Sequence, residues 1–372
     1  MFKQIAKNIV EFSLDLHAGE KLNIIIKDKS QDVLGKEIEK YAQSIGVITR
    51  YFYDHESIYN DMTDEEFSSY LQREIDIMKD CDACALVRDN IPMSLTEIGI
   101  KRRQKFIKEV HFDIRCSKKW NLTCVPSRKE FSTEEEYLDI LETYLKSSSI
   151  NYKKFSKAMD NLVARLRSTD KVRIIAKNTN ISFSIKGLPV VKCISKRNLP
   201  DGEVFTAPIK ESVNGYITYN LPSIEGETIH NNIYFEFENG RIVHASSDHT
   251  SELLRVLGTD EGARYIGEFS FGLNPFITKC YNNTLYDEKI SGTIHLTPGN
   301  AYERCNNGNK SVIHWDIVQS HLPEFGGGEI WLDNTLIRKD GLFVVEDLKC
   351  LNPDQLIPTL TQNKEDIYDY EK

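Results

Sequence analysis

Apolar positions in the first 150 residues follow two alternating spacings. Helical spacing comes first, at positions that would form one face of an amphipathic helix: Ile5, Ile9, Val10, Phe12 and Leu16. Short apolar runs, typical of buried strands, then alternate with longer helical segments. The predicted elements are a strand at 22–26, a helix at 31–45, a strand at 47–53, a helix at 64–80 and a strand at 83–87. This alternation predicts an α/β domain with a mostly parallel sheet and helices on its faces.

The pattern changes near residue 171, after which short β-rich segments are separated by turn residues. Asn239-Gly240 and Asp340-Gly341 have the residue types of tight hairpin turns, and a helix at about 249–266 interrupts the strands. We therefore predict a β-rich α+β C-terminal domain with antiparallel or mixed strands. Two helices at 133–168, with a break at 147–152, would join the two parts. The predicted domains are an α/β domain at residues 1–165 and the β-rich domain at residues 166–372.

Composition and charge narrow the class of function. The 372 residues include 47 Lys and Arg against 56 Asp and Glu, and the net charge of −9 argues against nucleic-acid binding. No apolar run approaches the ~20 residues of a membrane span, and the N-terminal segment is more typical of an amphipathic helix than of a signal peptide. Eight scattered cysteines fit a reducing compartment. We therefore expect a cytoplasmic protein with neither a nucleic-acid nor a membrane partner.

Two other clusters of reactive side chains favour structural roles. Cys81 and Cys84 form a CxxC pair without a second pair, and an apolar strand follows, so we predict buried thiols and not a zinc or redox site. His244, Asp248 and His249 precede a predicted helix, where capping is favoured over metal binding.

A histidine and an aspartate lie two residues apart in the strand-like segment SVIHWDIV, residues 311–318. Side chains alternate along a strand, so His314 and Asp316 would share one face while Trp315 points to the other. An imidazole and a carboxylate ~7 Å apart could converge on one metal ion. A surface His–Asp pair on an edge strand is the alternative. His321 follows in what we predict to be a surface loop.

Three further residues offer metal-binding groups. Glu203 follows a turn in LPDGEVFTAP, Glu268 follows Gly267 at a predicted strand start, and His295 lies in the strand-like ISGTIHLTPG. Taken singly, the glutamates could be solvated charges and the histidine a hydrogen-bonded core residue. Apolar neighbours indicate inward carboxylates, which need a partner such as a divalent cation. Together with the previous pair they form a five-ligand set that suits Zn, Co, Mn or Fe, and two ions ~3.5–4 Å apart.

Five pieces of sequence carry a resemblance to a known family: LPDGEVFTAP, TDEGARYIGE, LYDE, HLTPGNAY and VIHWD. With them the chain resembles the aminopeptidase T / aminopeptidase S family of dinuclear metallo-aminopeptidases. The resemblance implies a homodimer that hydrolyses the N-terminal residue of peptides with a free N-terminus, by water activated between two divalent ions (Zn, Co or Mn). The implied site residues are the metal ligands Glu203, Glu268, His295, His314 and Asp316, a possible further ligand Glu288, and the catalytic Tyr302, which would hydrogen-bond an oxyanion.

The residues leave two alternatives open. His295, His314 and Asp316 alone form the two-histidine-one-carboxylate pattern of Fe(II) oxygenases, and the 2,5-dihydroxypyridine ring-cleaving dioxygenases resemble the same fold family. A non-catalytic relative that kept the site residues is the second alternative. Retention of Glu203 and Glu268 favours two ions and hydrolysis, so a metallo-aminopeptidase is our prediction.

Overall fold

The chain divides into two compact units in a computed structural model that describes residues 1–53, 58–91, 94–226 and 228–361. Unit 1 comprises Met1–Tyr152 with Ser195–Pro200, and unit 2 comprises Lys153–Ile194 with Asp201–Lys372. The predicted domain boundary at residues 165 and 166 stays a prediction, because compactness does not establish independent folding.

The strands of the described residues fall into four sheets. In chain order they are β1 Lys21–Ile26, β2 Ile48–Tyr53, β3 Ala83–Arg88, β4 Lys119–Cys124, β5 Lys171–Ala176, β6 Thr179–Ser184, β7 Val191–Cys193, β8 Asn198–Leu199, β9 Glu203–Thr206, β10 Asn214–Thr218, β11 Ser223–Glu225, β12 Thr228–His230, β13 Tyr234–Glu238, β14 Arg241–Ser246, β15 Ile266–Gly272, β16 Thr293–Pro298, β17 Val318–Ser320, β18 Gly328–Leu332, β19 Thr335–Lys339 and β20 Leu342–Phe343.

The α-helices are concentrated in the first half of the chain. They are α1 Phe2–Lys7, α2 Asp32–Ser44, α3 Ile58–Asp61, α4 Asp64–Lys79, α5 Glu97–Phe106, α6 Glu134–Ser148, α7 Tyr152–Ala158, α8 Asp160–Ser168, α9 Thr250–Leu257, α10 Thr284–Asp287 and α11 Pro353–Thr361. A π-helical turn, Asn8–Ser13, continues α1. Among the described residues, no helix combines the length and apolar character needed to cross a membrane.

The sheet of unit 1 is parallel throughout, in the order β2-β1-β3-β4-β8. Its inner strands β1 and β3 are buried over 22–26 and 83–87, as expected for a parallel sheet that is covered on both faces. Thr63 starts α4 with a reciprocal capping box to Glu66. These features confirm the predicted α/β region. Cys81 and Cys84 are buried free thiols, as predicted.

Unit 2 contains two larger antiparallel sheets that pack against each other. One has the order β14-β13-β10-β6-β5-β18-β19-β20 and the other β17-β16-β15-β9-β7. The rings of Phe183 in β6 and Phe269 in β15 meet edge to face at 5.0 Å between centroids. The Tyr219 hydroxyl donates to the Leu296 carbonyl oxygen at 2.9 Å. β15 and β16 are buried along their whole lengths, so polar side chains on them are shielded from water. The predicted β-rich second half is confirmed.

Two helix predictions were wrong in detail. The helix predicted at about 249–266 ends at Leu257, because Asp260 caps a separate 3₁₀ turn and β15 begins at Ile266. The two helices predicted at 133–168 are three, since α7 and α8 separate at Met159. Both predicted hairpin turns are present, with positive φ at Asn239-Gly240 and Asp340-Gly341.

Candidate metal centre

Three neighbouring strands of the five-stranded sheet carry the first three candidate ligands. Glu203 begins β9, Glu268 lies in β15 and His295 lies in β16. Pairing places His295 opposite Ser270, two residues after Glu268, and a bulge interrupts the β15–β16 register just before Glu268. All three side chains are buried, as the apolar neighbours in the sequence indicate.

The imidazole of His295 lies among the carboxylates. Its Nε2 is 3.1 Å from Glu268 Oε1, 3.4 Å from Glu203 Oε2 and 4.0 Å from Asp316 Oδ1. One ligand atom from each of Glu203, Glu268 and His295 lies within 4.8 Å of the other two. A single ion could therefore contact all three strands.

The second histidine and the aspartate come from the segment that joins β16 to β17. The strand predicted for 311–318 was wrong over most of its length, because these residues form a single bridge, His314 to Gly299, before β17 begins at Val318. The two side chains nevertheless converge, with His314 Nε2 3.3 Å from Asp316 Oδ1. Trp315 is buried elsewhere, where its indole N–H donates to Ser223 Oγ at 2.8 Å.

The carboxylate of Glu268 lies between the two histidines. Its Oε1 is 3.1 Å from His295 Nε2, and its Oε2 is 3.7 Å from His314 Nε2. In two-metal sites the ions lie about 3.5–4 Å apart, so one carboxylate can bind both of them. A carboxylate whose two oxygens face different imidazoles fits the bridging position of such a site.

Three buried polar atoms of this cluster have no hydrogen-bond partner among the described residues. They are Glu268 Oε2, His295 Nδ1 and His314 Nε2. Burying such groups costs free energy unless a cation or proton compensates for the lost water. Carboxylate and imidazole groups are the ligands of Zn, Co and Mn, so the donor set fits a divalent metal.

Neighbouring polar groups fix the orientation of these side chains. His314 Nδ1 donates to the carbonyl oxygen of Asn300 at 2.8 Å, which directs Nε2 at the carboxylates. The Thr297 hydroxyl donates to Asp316 Oδ1 at 2.7 Å. Such outer contacts set the ring orientation and basicity of metal ligands.

Charges within the cluster compensate one another strongly. Burial lowers the pKa of His295, but the hydrogen bond with Glu268 and the other carboxylates outweigh burial and raise it to about 9. Burial also lowers the pKa of His314, yet Asp316 and Glu268 raise it to about 10. Burial raises the pKa of Glu268. Burial acts in the same direction on Asp316, but His314 and His295 hold its pKa well below its usual range. Binding of cations would release the imidazole protons.

The remaining two predicted site residues lie at the edge of this cluster. The Tyr302 ring centroid is 4.3 Å from that of His314 and 6.0 Å from that of Phe205, and the residue is 47% exposed. Tyr302 therefore borders the cluster and faces solvent. Glu288 is buried, and its carboxylate contacts the ammonium group of Lys289.

Sequence analysis missed several residues beside the cluster. Lys289 is 1% exposed, and Nζ is 3.6 Å from Glu203 Oε1 and 3.8 Å from Asp201 Oδ1. The Ser270 hydroxyl donates to Glu203 Oε2 at 3.1 Å. Two features of the sequence could have indicated these residues: the Asp201-x-Glu203 spacing and the position of Lys289 directly after Glu288. Neither is specific, because neighbouring charged residues are most often exposed to solvent.

The other histidines among the described residues are not part of the cluster. The prediction that His321 lies on the surface was wrong, because the residue is fully buried. Its ring nitrogens find partners inside the protein, Gln319 Oε1 at 2.9 Å and Arg338 Nη2 at 3.3 Å. His244 and His249 are exposed.

Comparison with known proteins identifies the family of the chain. The family model of the thermophilic metalloprotease (M29) family matches residues 2–324, most of the chain. The chain belongs to the M29 family. The predicted family resemblance is therefore confirmed. The family name indicates a metal-dependent peptidase, and the comparisons give the ring-cleaving dioxygenase no support.

Two relatives carry aminopeptidase names. Aminopeptidase AmpS of Bacillus subtilis is 36% identical over 134 residues, which are 34% of this chain and 32% of that protein. Aminopeptidase T of Thermus thermophilus is 35% identical over 167 residues, 40% of each chain. The matched region thus spans about a third to two fifths of these relatives.

A solved structure shares the fold. Wild-type AmpT from Thermus thermophilus aligns with a TM-score of 0.74 at 20% identity, over 92% of this chain and 99% of that chain. This similarity confirms the predicted fold class, with a parallel α/β part and an antiparallel β-rich part.

Proposed function

We propose that this protein is a metal-dependent aminopeptidase that removes the N-terminal residue of peptides with two divalent ions, Zn, Co or Mn. The observation that carries the proposal is the Glu268 carboxylate, whose oxygens face His295 on one side and His314 on the other. M29 membership supports metal-dependent peptide hydrolysis. The aminopeptidase names of the relatives support attack at a free N-terminus.

The proposed ligands are five buried or half-buried side chains: Glu203, Glu268, His295, His314 and Asp316. When bound, two ions would supply Lewis-acid activation of a water and of the scissile carbonyl. Strands β9 and β15 and the segment before β17 hold the three carboxylates in a buried site, where they would compensate most of the charge of two divalent ions. Glu288 is left out of the proposed ligand set, because Lys289 already compensates its charge.

Tyr302 is the proposed catalytic residue outside the ligand set. Its ring lies against His314 and is open to solvent, so a peptide can approach it. A hydroxyl at this place could donate to the oxyanion that forms when the carbonyl is attacked.

We also propose that the enzyme is a cytoplasmic homodimer. The family resemblance supports the dimer. All eight cysteines are free thiols, which supports a reducing compartment.

The test is metal content together with activity. Untagged protein is analysed by inductively coupled plasma mass spectrometry, and its hydrolysis of leucine p-nitroanilide is compared with that of the N-acetylated compound. We expect about two ions per chain and activity on the free amine only. Glu268→Gln should lose metal and activity together, because one carboxylate serves both proposed ions.

Glu261→Gln is the matched control. This glutamate lies in the same part of the chain, but its side chain is 72% exposed and pairs with Arg241. It should keep the wild-type metal content and activity. An iron content of one ion per chain that Glu268→Gln does not change would contradict the proposal. Equal rates of hydrolysis of the free and the N-acetylated compound would also contradict it.

A further inference from the structure

Lys289 is a fully buried ammonium group surrounded by acidic side chains. It lies between α10 and β16, and its Nζ contacts the Glu288 carboxylate. The same atom is 3.6 Å from Glu203 Oε1 and 3.8 Å from Asp201 Oδ1. Lysine is almost never fully buried unless it is paired, so this cation is specifically held by three carboxylates.

The two oxygens of Glu203 face opposite partners. Oε1 lies towards Lys289, whereas Oε2 lies 3.4 Å from His295 Nε2 and accepts from Ser270 Oγ at 3.1 Å. The carboxylate therefore separates the histidine cluster from the ammonium group. Only Oε2 is directed at the proposed metal centre.

The Lys289 side of Glu203 also has the donor atoms of a cation position. One ligand atom from each of Cys193, Asp201 and Glu203 lies within 4.8 Å of the others. Strand pairing sets Cys193 opposite Glu203, and the Gly202 N–H donates to Asp201 Oδ1 at 2.8 Å. Two carboxylates and a thiol are ligands that a divalent ion such as Zn²⁺ or Co²⁺ accepts.

We propose that Lys289 is a positioning residue that takes the place of a metal ion between Cys193, Asp201 and Glu203. An ammonium group compensates these carboxylates without open coordination positions, so it cannot act as a Lewis acid there. It also keeps Oε1 of Glu203 occupied, so that metal ions bind only on the His295 side. Lys289 thus limits the number of ions per chain, an inference that rests on the proposed dinuclear function.

The test is a Co²⁺ titration of Lys289→Met, followed by equilibrium dialysis and absorption spectroscopy. Methionine keeps the length of the side chain but removes its charge. We expect one Co²⁺ more per chain than in the wild type. We also expect a new thiolate-to-cobalt charge-transfer band in the near ultraviolet, because Cys193 would become a ligand. The band should disappear in Lys289→Met/Cys193→Ser.

Lys27→Met is the matched control, because Lys27 is another poorly exposed lysine. Its side chain is 13% exposed, and it pairs with Asp89 at 2.8 Å in unit 1. Loss of this charge should leave the Co²⁺ count and the spectrum unchanged. A gain of the same size in Lys27→Met would show a general effect of lysine removal and would overturn the proposal.

A second variant covers the case in which Lys289→Met does not fold. Glu288→Gln/Lys289→Met leaves the net charge of the pair unchanged and keeps Cys193, Asp201 and Glu203, so it should also gain one Co²⁺. A folded variant with the wild-type count and no new band would overturn the role of Lys289. The number of Co²⁺ ions bound per wild-type chain tests the proposed metal centre separately. The Lys289 proposal depends only on the difference in Co²⁺ ions per chain between the variant and the wild type.

Discussion

Burial determines what each site side chain can do. Glu268 and His295 are shielded by β15 and β16, so their charges interact strongly with each other and would hold a cation firmly. Tyr302 differs, because about half of its surface is exposed while its ring touches His314. Desolvation, followed by the charges of Asp316 and Glu268, raises the pKa of Tyr302. In the metal-free protein its hydroxyl is therefore a hydrogen-bond donor.

Tyr302→Phe should therefore lower kcat more than it raises KM. Loss of one oxyanion donor typically reduces kcat by about 10²–10³-fold. Steady-state kinetics on leucine p-nitroanilide measures both constants, and metal content should stay at the wild-type value. Tyr216→Phe is the control, because Tyr216 is similarly exposed, at 40%, on β10. An unchanged kcat in Tyr302→Phe would remove the hydroxyl from the mechanism.

At the scale of elements, the close approach of two chain segments positions His314. Gly299 follows β16 with φ +109° and forms the bridge to His314. A Cβ at Gly299 would overlap the carbonyl oxygen of Ile313. The segment before His314 can therefore reach the end of β16 only because residue 299 has no side chain.

Gly299→Ala should displace His314 and weaken metal binding. Backbone strain of this kind costs about 1–3 kcal/mol, and the steric overlap adds to it. Calorimetric titration of metal into the purified variant measures the loss of affinity, and thermal unfolding measures the loss of stability.

Gly308→Ala separates the two effects. Gly308 also has a positive φ, +86°, but a Cβ there would have no atom within 4 Å. This control should lose some stability and keep its metal affinity. Equal loss of metal affinity in both variants would show that strain, and not the approach to Ile313, is responsible.

Turns and strands that are determined by neighbouring residues in the sequence were predicted well. The Asn239-Gly240 turn follows from residues that accept positive φ, and the buried strand at 22–26 follows from a continuous apolar run. The extended segment around His314 was predicted as a strand because β-branched residues fill it. Its backbone instead bonds to Pro298 and Asn300, and nothing in the local pattern encodes those partners.

At the scale of the whole molecule, the proposed ligands were identified as a set through ordered motifs. Unit 2 contains all five, on three strands and one connecting segment. Lys289 was missed because its partner Glu203 lies far away in the sequence and only the sheet brings them together. Motifs in the sequence can thus indicate the metal ligands. A charged residue that compensates a ligand, such as Lys289 beside Glu203, can be found only when the fold is known.

This placement predicts that metal should stabilise unit 2 selectively. A ligand that binds only the folded state adds about 2.7 kcal/mol at 100 times its Kd, which corresponds to about 100-fold slower exchange of amides that open with the site. Hydrogen-exchange mass spectrometry of metal-free and Zn²⁺-loaded protein measures this. We expect the largest slowing in residues 311–317, which connect β16 to β17 and carry two proposed ligands.

Strands β1, β3 and β4 serve as the internal reference, because unit 1 provides none of the proposed ligands. Their exchange should change little when Zn²⁺ is added, and Glu268→Gln should remove the slowing in 311–317. Equal slowing in both units would mean that metal acts on the whole chain and not through this cluster. Slowing that survives Glu268→Gln would place the bound metal elsewhere, since the two oxygens of that carboxylate face different histidines of the cluster.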